Sequence, residues 1–458
     1  MTEPLLRPIA RFASGLTYED IPEKAVDAAK IAISDWFACA MAGFNMPVCE
    51  NTLAYLKQNR MRVGSSAVFN RGMTSDAAAA ALFNGTASHA LDYDDCGHST
   101  LGHPSVPVAP VAFALAQELG LNGKDLIRIY LVGVEAEAQV GKWTCPVISQ
   151  NGWHPTFSLG VIGAAAAAAA AYGLSAEQTE WALGLAATRA GGIKSNFGTM
   201  TKAFHAGLAA MTGIECAQMA SCGVTSNPRA LEAQDGFFAC FAGPEPIDPA
   251  SCRVEIGKVW DIVEVGFLFK QYPCCSGSHP TIDVLTEYLK DYRLDPEDVV
   301  RVHAGVSLLS PRELTCHRPK DAIQAKFSLE FAIAAVLYYG KVELDTFTDE
   351  KVGDPRIQAF FEKVDYEVDD ELAIKYGFTE KAPVKLDFEM KNGTKIHLER
   401  DMAYGNPEKP FTKAQRDNKF AICMKRALCE KGGRRFSETL EHLEEADPRA
   451  IMELGSPA

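Results

Sequence analysis

Through most of the first 240 residues, apolar positions recur three and four apart, the period of a helix that buries one face. Pro22 suits the first position of a helix running to Met41, with Gly43 as its stop. Ser75 is placed to cap a second helix over 76–91. Two more are predicted over 105–119 and 124–142, divided by Gly120 and Asn122-Gly123. Residues 164–171 are eight consecutive alanines. Alanine has the highest helix propensity and lets neighbouring helices approach closely, so a central, crossed helix is expected there. Gly173 ends it, and Ser175 with Gln178 forms a capping box for a helix over 176–187.

The pattern changes after about residue 269. Residues 279–291 read as helix, 299–308 as strand, and 324–339 as an apolar helix closed by Gly340. In VKLDFEMKNGTKIHLER, Val384, Leu386, Phe388 and Met390 alternate with charged residues, and Asn392-Gly393 suits a two-residue turn. That is a half-buried antiparallel hairpin. Thr412 is expected to cap a last helix through Phe420 to Leu428, and the final fifteen residues to be disordered. The fold class that follows is mainly α. A large, discontinuous all-helical domain (1–268 and 410–458) carries a smaller α+β lid domain (269–409) with an antiparallel hairpin.

A chain of 458 residues exceeds what one core organises, which agrees with two domains. With 47% hydrophobic and 23% charged residues and mean hydropathy near zero, the composition is that of a globular protein. A formal net charge of −14, without any basic run, argues against nucleic acid or an anionic membrane as partner. An anionic substrate needs a local cationic pocket. The N-terminal MTEPLLRPIARFASG lacks the apolar core of a signal peptide, and the least polar stretch, 157–172, is mostly alanine, which suits a buried helix rather than a span. Thirteen cysteines without regular spacing fit a reducing compartment, so a cytoplasmic location is expected.

The chemistry concentrates in SHALDYDDCGHSTLGHPSVPVAP, residues 88–110. His89, Asp92, Asp94, Asp95, His98 and His103 fall within fifteen positions, between two segments of buried-helix character. Each alone has an ordinary explanation, as a cap, a solvated loop residue or a packed ring. Together they do not, because desolvating so many ionisable groups costs free energy. Such a set binds a metal, moves protons or holds a charged ligand. The DxDD form of Asp92 to Asp95 also occurs where an acid protonates an alkene, a weak match here without an aromatic-lined cavity. A second feature is His154 in GWHPT at a helix mouth, where the positive end of the dipole favours neutral imidazole, a base. A third is NFGTMTKAFH, where Lys202 in a first helical turn is unfavourable unless an anion lies near. A fourth is FKQYPCCSGSHP, with Lys270 at the domain change and His279 at a helix start. A weaker set is Thr315, His317, Arg318 and Lys326.

Taken in order, HALDYDDCGHSTLGHPSVPVAP, GWHPTFSLGVIGAAAA, NFGTMTKAFHAG, KQYPCCSGSHPTID and AKFSLEFAIAA resemble the MmgE/PrpD family from about residue 20 to 430. That family includes 2-methylcitrate dehydratase, cis-aconitate decarboxylase and iminodisuccinate epimerase. The resemblance implies a large helical domain with a small α+β lid, a homodimer, and no metal or organic cofactor. It places catalytic groups at Asp92, His103, His154, Lys202 and Lys270, and substrate-binding groups at Cys96, Thr201, His279 and Thr315. Cys96 stands where the decarboxylases resemble one another in having threonine, and Thr315 where they have a catalytic tyrosine.

The reaction expected on this resemblance makes or quenches carbanion character beside a carboxylate of a small di- or tricarboxylate. His103 and His154 would move protons on opposite sides of the substrate, with Asp92 orienting His103. Lys202 and Lys270 would bind carboxylates, Lys270 arriving on the lid. Loss of β-hydroxide gives dehydration, the first expectation. Reprotonation on the other face gives epimerisation, and loss of CO₂ gives decarboxylation, ranked third. The non-enzymatic alternative is a catalytically silent dimeric scaffold.

Overall fold

A computed structural model describes residues 3–243, 246–427 and 430–453 of the chain. It is mainly helical, with a smaller part that combines helices with a sheet. Two compact units divide it: Met1–Ile193, Ala203–Phe267 and Thr412–Ala458 form one, Lys194–Lys202 and Leu268–Phe411 the other.

The first unit is built from helices whose ends the sequence marks. Glu23–Gly43 follows Pro22, and Ala176–Arg189 opens on the capping box of Ser175 and Gln178. Ser105–Leu119 ends at Gly120 in the left-handed conformation. The alanine run lies in Gly160–Ala171, whose side chains are fully buried up to Ala169. Its smallness is used. A Cβ on Gly213, from the helix Met200–Ser221, would stand 2.4 Å from the Ala164 Cβ, and one on Gly133 would reach the Gly163 carbonyl at 3.0 Å. Backbones therefore touch where larger residues would hold them apart. A cluster of Trp36, Phe37, Phe69, Phe113 and Phe436 supplies the aromatic core, with ring centroids 5.0–6.4 Å apart.

Among the described residues the unit departs from the expected all-helical pattern in short strands, Cys96–Gly97 among them. Ser66–Val68 and Met73–Ser75 pair as a two-stranded ribbon, three residues a side and so too short to show a period-2 signal. Ser75, the expected cap, is the last residue of that ribbon, and its hydroxyl donates to the Arg62 carbonyl at 3.1 Å. Asp76 caps Ala77–His89 instead, accepting from the Ala79 N–H at 3.2 Å. At the C-terminus Thr412 caps Lys413–Arg426 as expected. Helices Glu430–Glu441 and Pro448–Glu453 follow, so the expectation of disorder fails for residues 444–453. Leu428 and residues 454–458 lie outside the described residues.

In the second unit four strands form one sheet in the order Val364–Val368, Val299–Val306, Val384–Met390, Lys395–Arg400. The first pair is parallel and the others antiparallel. Val302, Ala304, Val306, Leu386 and Phe388 join the helices His279–Asp291 and Leu329–Tyr339 in one apolar core. The other face is charged and carries the ion pairs of Asp365 with Arg301 and His303. The hairpin loop has three residues rather than two. The Met390 N–H donates to the Thr394 carbonyl, and Gly393 takes φ +82°, the left-handed position such a loop needs. The helix expected over 324–339 is broken: Ala322–Ala325 is a single turn, and Leu329–Tyr339 begins anew on the Ser328 cap. Among the described residues no two cysteines are bridged, and no single helix is long and apolar enough to cross a membrane.

Candidate active site

In the first unit the loop after Ala77–His89 folds back on that helix end. Asp92 takes the left-handed conformation at φ +53°, unusual for a non-glycine residue. Asp94 then lies between two imidazoles. Its carboxylate is 2.9 and 3.0 Å from Nδ1 of His89, and 2.9 Å from Nδ1 of His103. The Asp95 main-chain carbonyl also lies 2.9 Å from His103 Nδ1. The Asp94 carboxylate and the Asp95 carbonyl can only accept, so that nitrogen carries the ring proton and neutral His103 keeps its lone pair on Nε2. Burial alone would raise the Asp94 carboxyl, but His89 and His103 outweigh it and hold the group well below the usual carboxylate range.

Asp92 does not orient His103 as expected. Its Oδ1 lies 3.9 Å from His103 Nε2, too far for a hydrogen bond, and the orienting groups are Asp94 and the Asp95 carbonyl. The Asp95 side chain points elsewhere, accepting from the Ser105 N–H and hydroxyl. Burial pushes its carboxyl up to about 8, against the Ser105 hydrogen bonds. Cys96 is buried with Sγ 3.7 Å from His103 Nδ1.

The GWHPT motif packs beside this loop. The His103 N–H donates to the Thr156 hydroxyl at 3.1 Å. His154 begins the short helix Pro155–Ser158, its own N–H fixed on the Gly192 carbonyl at 2.9 Å. The His89 ring is 4.4 Å from that of His103 and stacks 6.1 Å from that of His154, and His154 meets His205 with Nδ1 atoms 3.0 Å apart. Four buried imidazoles thus form a continuous file, of which His89, His103 and His154 were singled out from sequence, His103 and His154 as catalytic groups. His205 was not: it stands three positions after Lys202 on a helix, with nothing around it to mark it as more than a core residue.

His89, Asp92, Asp94 and His103 each bring a ligand-type atom within 4.8 Å of the others. The donor types suit a transition-metal ion. Imidazole nitrogen and carboxylate oxygen approach to 2.9–3.0 Å, which is hydrogen-bond distance and tighter than a tetrahedral zinc site. The edge of a tetrahedral zinc site is about 3.3 Å, from metal–ligand bonds of about 2.0 Å.

Behind it, Lys419 anchors the loop. From Lys413–Arg426 its ammonium donates to the Tyr93 carbonyl at 2.7 Å and pairs with Asp35 at 2.7 Å. Nothing in the local sequence marks this lysine, since its partners are more than 300 residues away.

In the second unit Lys202 and Lys270 are both buried, at 5% and 1% exposure, which is rare for a cation. Lys202 lies over the rings of Phe197 and Phe327 at 5.2 and 5.3 Å. Lys270 precedes a segment that gathers two buried acids. Cys275 Sγ donates to Glu313 at 3.4 Å, and the Ser276 hydroxyl to Glu380 at 3.2 Å. Burial, then Glu313, raises Glu380 to about 8, while Lys194 and Lys270 oppose the rise. Sequence reasoning did not find Glu313, which ends the helical turn Ser310–Glu313, or Glu380, which comes from a distant turn. His279 is buried at the start of His279–Asp291, its Nε2 3.2 Å from the Cys274 carbonyl. Thr201 is partly buried, its N–H on the Thr199 hydroxyl, and Thr315 is exposed. His317 pairs with Glu330 and Arg318 with Glu362, while Lys326 donates to the Pro273 carbonyl at 2.6 Å. These three are therefore engaged in structural contacts.

The MmgE/PrpD N-terminal domain model matches residues 7–250, and the MmgE/PrpD C-terminal domain model matches residues 272–445. Among curated proteins, the chain is 25% identical to cis-aconitate decarboxylase of Mus musculus, over 99% of this chain and 93% of that one. It is 24% identical to the Homo sapiens protein of the same name, over 99% and 94%. It is 27% identical to cis-aconitate decarboxylase of Aspergillus terreus, over 78% and 76%.

Proposed function

The chain belongs to the MmgE/PrpD family, and from that premise we propose that it is a metal-independent lyase acting on a small di- or tricarboxylate by proton transfer next to a carboxylate. The observation that carries this reading is the Nδ1 environment of His103, which leaves a basic Nε2 on a ring held by an ionised Asp94. In the proposal His103 removes the proton α to a carboxylate, and His154 delivers or accepts the second proton. The carbanion that forms is an enediolate with extra charge on oxygen. Lys202 and Lys270, buried and cationic, take the substrate's carboxylates. Each well-placed donor contributes about 3 kcal/mol to lowering the barrier, and general acid–base help about 10²–10⁴ in rate. Thr201 and His279 are assigned to substrate binding, along with Cys96 and Thr315.

Dehydration of a hydroxy-tricarboxylate of the 2-methylcitrate kind is the first reading. It is supported by Cys96, a thiol beside His103 where the decarboxylases resemble one another in having threonine, and by the exposed Thr315. The second reading, decarboxylation of cis-aconitate, is favoured by the names of the curated relatives, at identities of 24–27%. Epimerisation of an amino-dicarboxylate uses the same groups with reprotonation on the other face.

A panel of citrate, methylcitrate, cis-aconitate, tartrate and iminodisuccinate, followed by NMR in D₂O, separates these readings. Loss of water, loss of CO₂ and stereochemical inversion with deuterium uptake identify the three reactions. His103→Gln and His154→Ala should each slow the exchanging C–H bond by about 10²–10⁴. Wild-type exchange in both would overturn the assignment. Dialysis against EDTA should leave the rate unchanged, and a loss that zinc restores would return the cluster to a metal. A protein that neither turns over nor is thermally stabilised by any member of the panel would be the dimeric scaffold instead.

A further inference from the structure

The contact between His154 and His205 has a consequence beyond packing. Both rings are buried, and the approach is Nδ1 to Nδ1 at 3.0 Å. Two nitrogens at that distance hold one proton: one ring donates it and the other accepts it, since two N–H groups would clash and two lone pairs would repel. His205 is fixed in the second turn of Met200–Ser221, with the Phe157 ring 5.7 Å away and tilted against it. His154 is fixed from the other side by its main-chain bond to Gly192 and by the stacked His89 ring. Neither ring needs to move for the proton to cross.

We propose that His205 is a positioning residue for His154: the position of the shared proton decides whether His154 offers a lone pair or an N–H from Nε2. This rests on the catalytic reading of His154 given above. With the proton on His154 Nδ1, His154 Nε2 is a base and His205 is the neutral Nε2–H tautomer. When that base takes a proton from carbon, the electron pair of the C–H bond stays on the substrate as the enediolate. The Nδ1 proton then crosses to His205. His154 is left neutral with its proton on Nε2, and His205 becomes the cation. The reverse transfer returns a proton from His154 Nε2 to the substrate and restores the first state. No oxidant or other co-reactant is needed. The same pair serves as base in one half-reaction and acid in the next, as dehydration and epimerisation require, while decarboxylation uses its acid form alone.

The primary test needs no substrate. ¹⁵N NMR of histidine-labelled, ligand-free protein reports which ring nitrogens are protonated, and is recorded for wild type, His205→Leu and His205→Asn. Leucine removes the partner. Asparagine places an amide oxygen and nitrogen near the former Nδ1, able to accept or donate. The expected result is that His205→Leu changes the protonation pattern of His154, while His205→Asn keeps it close to wild type. An unchanged His154 in His205→Leu overturns the proposal. So does a change of equal size in both variants, which would mark His205 as packing only.

The kinetic arm follows solvent deuterium into cis-aconitate and into whichever other panel member exchanges. His205→Leu should lower the exchange rate constant about 10²-fold, with KM within threefold and an intact thermal transition, and His205→Asn should recover most of the loss. If His154→Ala abolishes exchange while His205→Leu does not, the positioning role fails and the catalytic reading stands. If His154→Ala exchanges at the wild-type rate, the catalytic reading itself fails.

Discussion

Asp94 is the one acid of the DYDD loop that touches two imidazoles, and its charge depends on them. Both His89 and His103 present Nδ1 to it, so an anion that only accepts satisfies both donors. Asp94→Asn keeps the shape and spoils this match, because the amide NH₂ would face a ring N–H. One ring must then change tautomer. Since the Asp95 carbonyl also holds His103 Nδ1–H, His89 is the ring expected to turn over, and the charge that stabilises protonated His103 is lost. The expected effect on kcat is a fall of about 10²–10⁴, with KM changed far less. Steady-state kinetics on the substrate found by the panel checks it, and a fall confined to KM would place Asp94 in binding. His103 and Lys270 were legible in the sequence because imidazole and ammonium stood out in apolar surroundings. The choice among three aspartates was not, because a left-handed turn at Asp92 decides which of them faces the rings. No pattern of residue types encodes that turn.

At the scale of elements, the helix Lys413–Arg426 does more than close the helical unit. Its Lys419 is the tie between the Asp35 carboxylate of Glu23–Gly43 and the Tyr93 carbonyl inside the DYDD loop. Both charges are nearly buried, with side-chain exposures of 5% and 11%. Lys419→Met fills the volume but strands Asp35, and losing one partner of a buried pair costs about 3–5 kcal/mol. Denaturant unfolding should show that loss. The DYDD loop should also loosen, so kcat should fall in protein that remains folded. Lys419→Met together with Asp35→Leu should recover stability without recovering kcat, and full recovery of both would reduce the tie to a plain structural contact. The helix itself was readable from its Thr412 cap, which the structure completes as a capping box with Gln415. Helices with capped ends, and the long alternating hairpin, were visible because local chemistry determines them. The three-residue ribbon and the break at Lys326-Phe327 were not, since their reasons are tertiary: the Ser75 hydroxyl bonds to the Arg62 carbonyl, and Lys326 donates to Pro273.

Across the whole molecule the division into two units follows composition, but the placement of Lys194–Lys202 follows packing. Phe197 lies 5.6 Å from Phe327, and a Cβ on Gly198 would meet Cys316 Sγ at 2.9 Å. Those contacts join a short segment to residues more than a hundred positions away, beyond the reach of a local pattern. Each unit also buries acids that resist ionisation, and this sets how stability follows pH. Burial raises Asp95 in the first unit and Glu380 in the second to about 8. Burial, then Asp95, pushes Glu137 well above its ordinary value. A carboxyl whose folded pKa is raised contributes stability that is complete below its unfolded pKa of about 4 and is lost as pH rises through the folded value. Asp94 works in the opposite sense: its depressed pKa contributes stability above about 4 that is lost as pH falls further. Thermal unfolding should therefore give a higher midpoint at pH 6 than at pH 9. Asp95→Asn with Glu380→Gln should flatten the alkaline limb and leave the acid limb unchanged. Asp94→Asn should weaken the acid limb alone. An alkaline limb that stays as steep in the double variant would mean that Asp95 and Glu380 are ionised in the native protein, their charge held by the neighbouring histidines and lysines.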